Sequence, residues 1–148
     1  MLSRPPDLID REPLNVMWAG CADELAQIQQ LWPWFEDKVG LRGRRMYAAA
    51  YVSAGRYMTC TPVRPGDDPE SLGLEVGELP GGRFRRGRLR GDPPDLYTVI
   101  GPGFDELESM SSVDRTRPLI EFYKRHDEIE LWVPLSDSVR DQSLIEPI

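Results

Sequence analysis

Residues 118–134 have the sequence PLIEFYKRHDEIELWVP, two runs of strand-favouring residues around a short polar segment. Such a pattern predicts a strand, a turn and a second strand. Because side chains alternate between the faces of a strand, Leu119, Glu121 and Tyr123 fall on the same face. A carboxylate therefore shares a strand face with an aromatic ring.

The first half of the chain repeats this spacing. Tyr51 precedes Pro62 by eleven residues, as Tyr123 precedes Pro134. Tyr123 and Pro134 each lie 72 residues after their counterparts in the first half. At the same offset, three further positions match: Trp32 with Phe104, Phe35 with Leu107, and Tyr57 with Ile129. A helix core and a hairpin core at constant spacing predict that each half is a β-α-β-β unit.

The rest of the chain supplies the other elements of two such units. Hydrophobic spacing and turn residues predict strands at 14–19, 46–53, 57–63, 72–79 and 82–90, a helix from Asp23 to about Gly40, and helical pieces around 96–100 and 104–110. We expect an α+β fold in which duplicated β-α-β-β units form one antiparallel sheet. Two helices pack on one face of this sheet, and the other face forms a concave ligand cleft. The predicted boundaries are a loose N-terminal segment (1–11), the domain (12–135) and a C-terminal tail (136–148).

Composition and charge exclude several classes of function. The chain has 148 residues and a net charge of −7, which disfavours nucleic acid and anionic membranes as partners. Five arginines within 83–90 are expected to form a solvated strand face paired with acidic residues. Cys21, Cys60 and the single histidine, His126, lack the spacing of a metal site, so neither a metal nor another cofactor is expected. No run is long and apolar enough for a bilayer or a signal peptide, which predicts a cytoplasmic protein.

Three segments occur in an order that resembles the GyrI-like, or AraC-type effector-binding, family. They are residues 117–135 with their proline, glutamate and tyrosine, the helix sequence LWPWF at 31–35, and LPGGRF at 79–84. The resemblance implies a bacterial small-molecule-binding protein with a SOUL-like fold and a pocket for hydrophobic, often cationic, molecules, including multiple drugs. It also places Glu121 inside that pocket. Because only about a dozen residues precede the domain, we expect a stand-alone binding protein rather than a complete regulator.

The candidate ligand-binding residues combine one acid with apolar walls. Glu121 would supply charge, and aromatic rings suit contact with a cation. With Glu121, the candidates are Trp18, Tyr51, Met58, Tyr97, Tyr123 and Trp132. The alternatives are a solvated glutamate on an open sheet face and ordinary core packing for the apolar residues.

Two other functions stay open at this stage. The resemblance also implies, as an alternative, a hydrolase of strained electrophiles, such as cyclopropane-bearing toxins, in which Glu121 would orient or deprotonate water and Tyr123 would protonate the leaving group. The third alternative is a protein-interaction inhibitor of a DNA-handling enzyme. Trp34 does not fit the core stripe of its helix, so it is expected at a pocket rim or at the contact of a homodimer.

Overall fold

The computed structural model describes residues 2–136 as eight strands and three α-helices. The strands are β1 (Asp7–Arg11), β2 (Leu14–Ala22), β3 (Met46–Tyr51), β4 (Arg56–Pro62), β5 (Glu75–Leu79), β6 (Gly82–Arg90), β7 (Leu119–Arg125) and β8 (Glu128–Pro134). The helices are α1 (Leu25–Val39), α2 (Asp95–Thr98) and α3 (Ile100–Ser109). No helix among these residues is long and apolar enough to cross a membrane. The predicted C-terminal tail, apart from its first residue, lies outside the described residues.

All eight strands form one antiparallel sheet in the order β1-β6-β8-β7-β3-β4-β2-β5. The two halves contribute the mirrored sets β6-β8-β7 and β3-β4-β2, which meet where β3 pairs with β7. Helix α1 packs against β2 and β4, and α3 packs against β6 and β8. The α+β fold and its duplicated β-α-β-β units are therefore confirmed.

Strand β1 lies in the segment for which the sequence predicted no element. An offset of 68 residues relates β1 to β5 and the start of β2 to that of β6, so each half also carries an extra leading strand. These leading strands are exchanged between the halves, because β1 pairs with β6 and β5 pairs with β2. The sequence of β1 has a single buried residue, Ile9, and so shows little strand pattern.

The match of Tyr51 with Tyr123 at a constant offset is wrong by one residue. In the β3–β4 pair, Tyr57 lies opposite Ala50. In the equivalent β7–β8 pair, Ile129, the counterpart of Tyr57, lies opposite Tyr123. Tyr123 therefore corresponds to Ala50, not to Tyr51. Because a slip of one residue reverses the face of every side chain in a strand, the two tyrosines lie on opposite faces.

The face without helices is concave and encloses a cluster to which every strand contributes. This buried cluster consists of Ile9, Val16, Tyr47, Ala49, Cys60, Leu79, Phe84, Ile120 and Trp132. A sheet that buries residues from both of its edges in one cluster must curl around it. We call this side the concave face and the side that carries α1 and α3 the helix face.

Four of the five arginines of β6 pair with acidic residues, as expected from the sequence, whereas Arg85 donates to the Ser111 hydroxyl. Arg86 and Arg88 both contact Asp7 of β1, at 2.7 and 3.4 Å. Arg83 contacts Asp10 at 3.2 Å. These ion pairs join the exchanged strand β1 to β6, although Arg86 and Arg88 are more buried than a solvated face would require.

Gly81, in the connection between β5 and β6, lies against the connection between β1 and β2, so the two connections cross here. A Cβ atom at this position would lie 2.3 Å from the carbonyl oxygen of Arg11 and 2.6 Å from the nitrogen of Pro13, both backbone atoms. We expect Gly81→Ala to lower the free energy of unfolding by about 2–4 kcal/mol, because the backbone must shift. Gly101 of α3 meets nothing within 4 Å, so Gly101→Ala should be neutral or stabilising. Chemical denaturation of both variants tests this, and equal stabilities would contradict the crossing.

Candidate functional site

Glu121 lies at the centre of the sheet, on the helix face. It pairs with Ala48 across the junction of the two halves, and each of these residues is the structural counterpart of the other in the repeat. Glu121 is 7% exposed and Ala48 is fully buried. A carboxylate thus occupies the pseudo-symmetry position of the fold, opposite the small side chain of Ala48.

Three aromatic side chains surround this carboxylate. The hydroxyls of Tyr57 and Tyr123 both donate to Glu121 Oε1, the former at 3.1 Å. The indole Nε1 of Trp32 in α1 donates to the Tyr57 hydroxyl oxygen at 2.9 Å. The rings of Trp32 and Tyr123 meet edge to face with centroids 4.8 Å apart. We call these four residues the Glu121 cluster.

Burial dominates the electrostatics of the cluster. Desolvation raises the pKa of Glu121, and the hydrogen bonds from Tyr123 and Tyr57 lower it in part. The negative charge of Asp23 acts in the same direction as burial. The pKa values of both tyrosine hydroxyls rise as well, first through burial and then through the charge of Glu121. The phenols therefore stay protonated and donate to the acid.

No cationic side chain among residues 2–136 forms an ion pair with Glu121. The other central acid, Glu130, differs in this respect, since Arg86 and Lys124 lie 3.6 and 3.4 Å from its oxygens. A buried carboxylate without a counter-ion is costly unless it is protonated or a cation approaches it. The donor set of phenols and an indole does not suit a metal ion, and no metal-binding group of His, Cys, Asp and Glu side chains occurs in the described part of the chain.

The predicted ligand-binding residues fall into three places. Trp18, Tyr51, Met58 and Trp132 belong to or pack against the cluster on the concave face. Glu121 and Tyr123 lie on the helix face, so the sheet separates them from those four. Tyr97, in α2, is 50% exposed. The expectation that Glu121 faces away from the helices is therefore corrected, and one cavity on either face cannot include the whole predicted set.

Two members of the Glu121 cluster are absent from the set that the sequence predicts. Tyr57 and Met58 are adjacent in β4 and therefore lie on opposite faces of the sheet. The sequence favours Met58 as the residue that lines the ligand site. Helical spacing places Trp32 in the core stripe of its helix. Alternation alone could have grouped Tyr57 with Thr59 on a single face, but nothing local indicates that this face is the one that carries Glu121, 64 residues further along.

Trp34, which does not fit the core stripe of its helix, is exposed in the structure. Trp34 is 43% exposed, and the Lys38 ammonium lies 5.5 Å from the centre of its ring. Phe35, next to it, is fully buried. Cys60 is buried and Cys21 is half-buried, and both are free thiols.

Comparisons with known proteins identify the fold. No family model and no curated protein matches the sequence. An integron cassette protein from the mobile metagenome of Vibrio cholerae is similar in structure, with a TM-score of 0.67, 16% identity, and coverage of 88% of this chain and 95% of that one. The protein SAV2435, solved bound to tetraphenylphosphonium, has a TM-score of 0.64 at 12% identity, and the match covers 95% of this chain and 99% of that one. A hydrolase from Listeria innocua has a TM-score of 0.54 at 11% identity and covers 92% and 94%. Similarity at these identities establishes a shared fold.

Proposed function

We propose that this chain is a small-molecule-binding protein of the GyrI-like type and that its ligands are hydrophobic organic cations. The Glu121 cluster is the proposed site. The single observation that carries this proposal is a buried carboxylate whose partners are two phenols and which has no cationic partner among residues 2–136. A cation that reached Glu121 would recover the electrostatic energy lost on burial, and the surrounding rings offer cation-π contact.

The structural neighbour SAV2435 supports the chemical class, since it was solved bound to tetraphenylphosphonium, a bulky aromatic cation. The shared fold makes this cation a suitable probe for the present protein. The neighbour does not specify which residues would contact the ligand here, so the assignment depends on the geometry of the Glu121 cluster.

The cluster is closed in this structure, and α1 is the element that closes it. Tyr57 is 3% exposed and Glu121 only slightly more, so the rings of Trp32 and Tyr123 must move before a ligand contacts the acid. The buried residues of α1 are Phe35 and Val39, and both lie in its last two turns. The helix contains Pro33, and no side chain caps its first turn. Its first half is therefore the part most easily displaced.

The affinity for a cation should depend on pH with a defined sign. A cation binds the ionised form of Glu121, whose pKa burial raises above the ordinary 4.5. Tetraphenylphosphonium affinity should consequently fall as the pH decreases through that raised pKa, and level off above it. Calorimetric titration between pH 5 and about 8.5 measures this. Neutral triphenylphosphine oxide is the control, and an equal pH dependence for both compounds would contradict the role of Glu121.

The hydrogen bonds of the two tyrosine hydroxyls favour binding over hydrolysis. Hydrolysis would need Tyr123 to protonate a leaving group, whereas both phenols donate to the same oxygen of Glu121. Binding needs only that the rings separate. Hydrolysis, a protein-interaction role, a homodimer through Trp34 and a cytoplasmic location stay predictions from the sequence.

A further inference from the structure

We propose a second ligand site on the concave face, suited to a small aromatic carboxylate. A cavity of about 220 Å³ lies beside the crossing of the exchanged strands. Its lining residues are Arg11, Glu12, Leu14, Arg45, Tyr47, Leu79, Pro80 and Trp132. We call it the arginine-rimmed cavity. The sheet separates it from the Glu121 cluster, so it is independent of the proposed function.

The wall of the cavity is apolar and aromatic. Leu14 and Leu79 face each other across the β2–β5 pair and supply an aliphatic side. The rings of Tyr47 and Trp132 stand at 64° to one another with centroids 5.9 Å apart. This volume is below the range of drug-sized pockets, roughly 300–1,000 Å³, and suits a single-ring ligand.

The rim carries an excess of positive charge, with two arginines and one glutamate. Neither Arg11 nor Arg45 forms an ion pair with an acid among residues 2–136, and the Arg11 guanidinium lies 5.2 Å from the centre of the Trp132 ring. Burial raises the pKa of Tyr47, and the charges of Arg45 and Arg11 lower it while that of Glu130 raises it. Both arginine charges therefore reach the ring that lines the cavity. Glu12 is the single acidic lining residue. Two guanidinium groups above an aromatic pocket match a carboxylate attached to a ring.

Titration with benzoate tests this site. We expect saturable binding with a Kd of about 0.1–1 mM, and clearly weaker binding of the neutral benzyl alcohol and of benzylammonium. The indole N–H resonance of Trp132, assigned with Trp132→Phe, should shift during the titration. Equal binding of benzyl alcohol, or no saturable response up to roughly 20 mM benzoate, would overturn the proposal.

Charge-changing variants of exposed residues sharpen the test without affecting folding. Arg11→Gln and Arg45→Gln should each weaken benzoate binding at least about threefold, and Glu12→Gln should strengthen it. Arg42→Gln removes the same charge from an exposed arginine outside the cavity and should change little. An equal loss in Arg42→Gln would show a general charge effect and refute the site. Glu121→Gln should leave benzoate binding unchanged, which separates this proposal from the cation site.

Discussion

Glu121→Gln is expected to weaken tetraphenylphosphonium binding at pH 8 by at least about thirtyfold, because loss of one partner from a desolvated charge contact removes roughly 2 kcal/mol or more. Glutamine keeps the shape of the side chain and still accepts hydrogen bonds from the Tyr57 and Tyr123 hydroxyls. The measurement is a calorimetric titration of both proteins. A loss confined to the variant identifies the carboxylate charge as the determinant of binding.

A matched variant controls for net charge. Glu106→Gln, on α3, also raises the net charge by one and should bind tetraphenylphosphonium as the native protein does, since Glu106 is exposed and lies on the other helix. Equal affinities in all three proteins would refute the proposed site.

Glu121→Gln itself should not destabilise the fold. The folded-state pKa of Glu121 is raised, so its contribution to stability is complete below the ordinary pKa of 4.5 and is lost as the pH rises through the raised value. Glu121→Gln removes that loss. At pH 8 the variant should be as stable as the native protein or more so, by on the order of 1 kcal/mol. Reduced affinity thus could not be attributed to unfolding.

Glu130→Ala should have the opposite effect on stability, with a loss of about 3 kcal/mol and a decrease in Tm of roughly 10 °C. Glu130 is 2% exposed and accepts a hydrogen bond from Trp132 Nε1 at 3.0 Å. It also lies near Arg86 and Lys124. Removal of this acid leaves the buried Trp132 N–H without its acceptor and takes one of two carboxylates from Arg86, which costs far more than the loss of an exposed pair.

Asp10→Ala is the comparison for this variant. Asp10 pairs with Arg83 at 3.2 Å, but its side chain is 71% exposed. Solvent screens such a pair, so we expect a change within about 0.5 kcal/mol. Thermal unfolding of both variants measures the contrast. Similar losses would mean that the network around Glu130 stabilises the concave face less than its burial suggests.

The order of elements was largely predictable, because it depends on local patterns. Helix α1, the hairpin β3–β4 and the pair β7–β8 follow from hydrophobic periodicity and from turn residues near Gly55. The exchange of β1 and β5 was not predictable, since it depends on pairing between segments that are distant in the sequence. Sequence spacing also aligned Tyr51 with Tyr123, because it cannot detect a one-residue shift within a strand.

The sequence by itself determined that Glu121 shares a strand face with Leu119 and Tyr123, because a strand repeats every two residues whatever surrounds it. Only the tertiary structure decided which side of the sheet that face occupies, and that Tyr57 and Trp32 complete the cluster. Strand register and helix packing join residues distant in sequence, and their energies depend on burial across the whole sheet. A two-residue period carries no information about either.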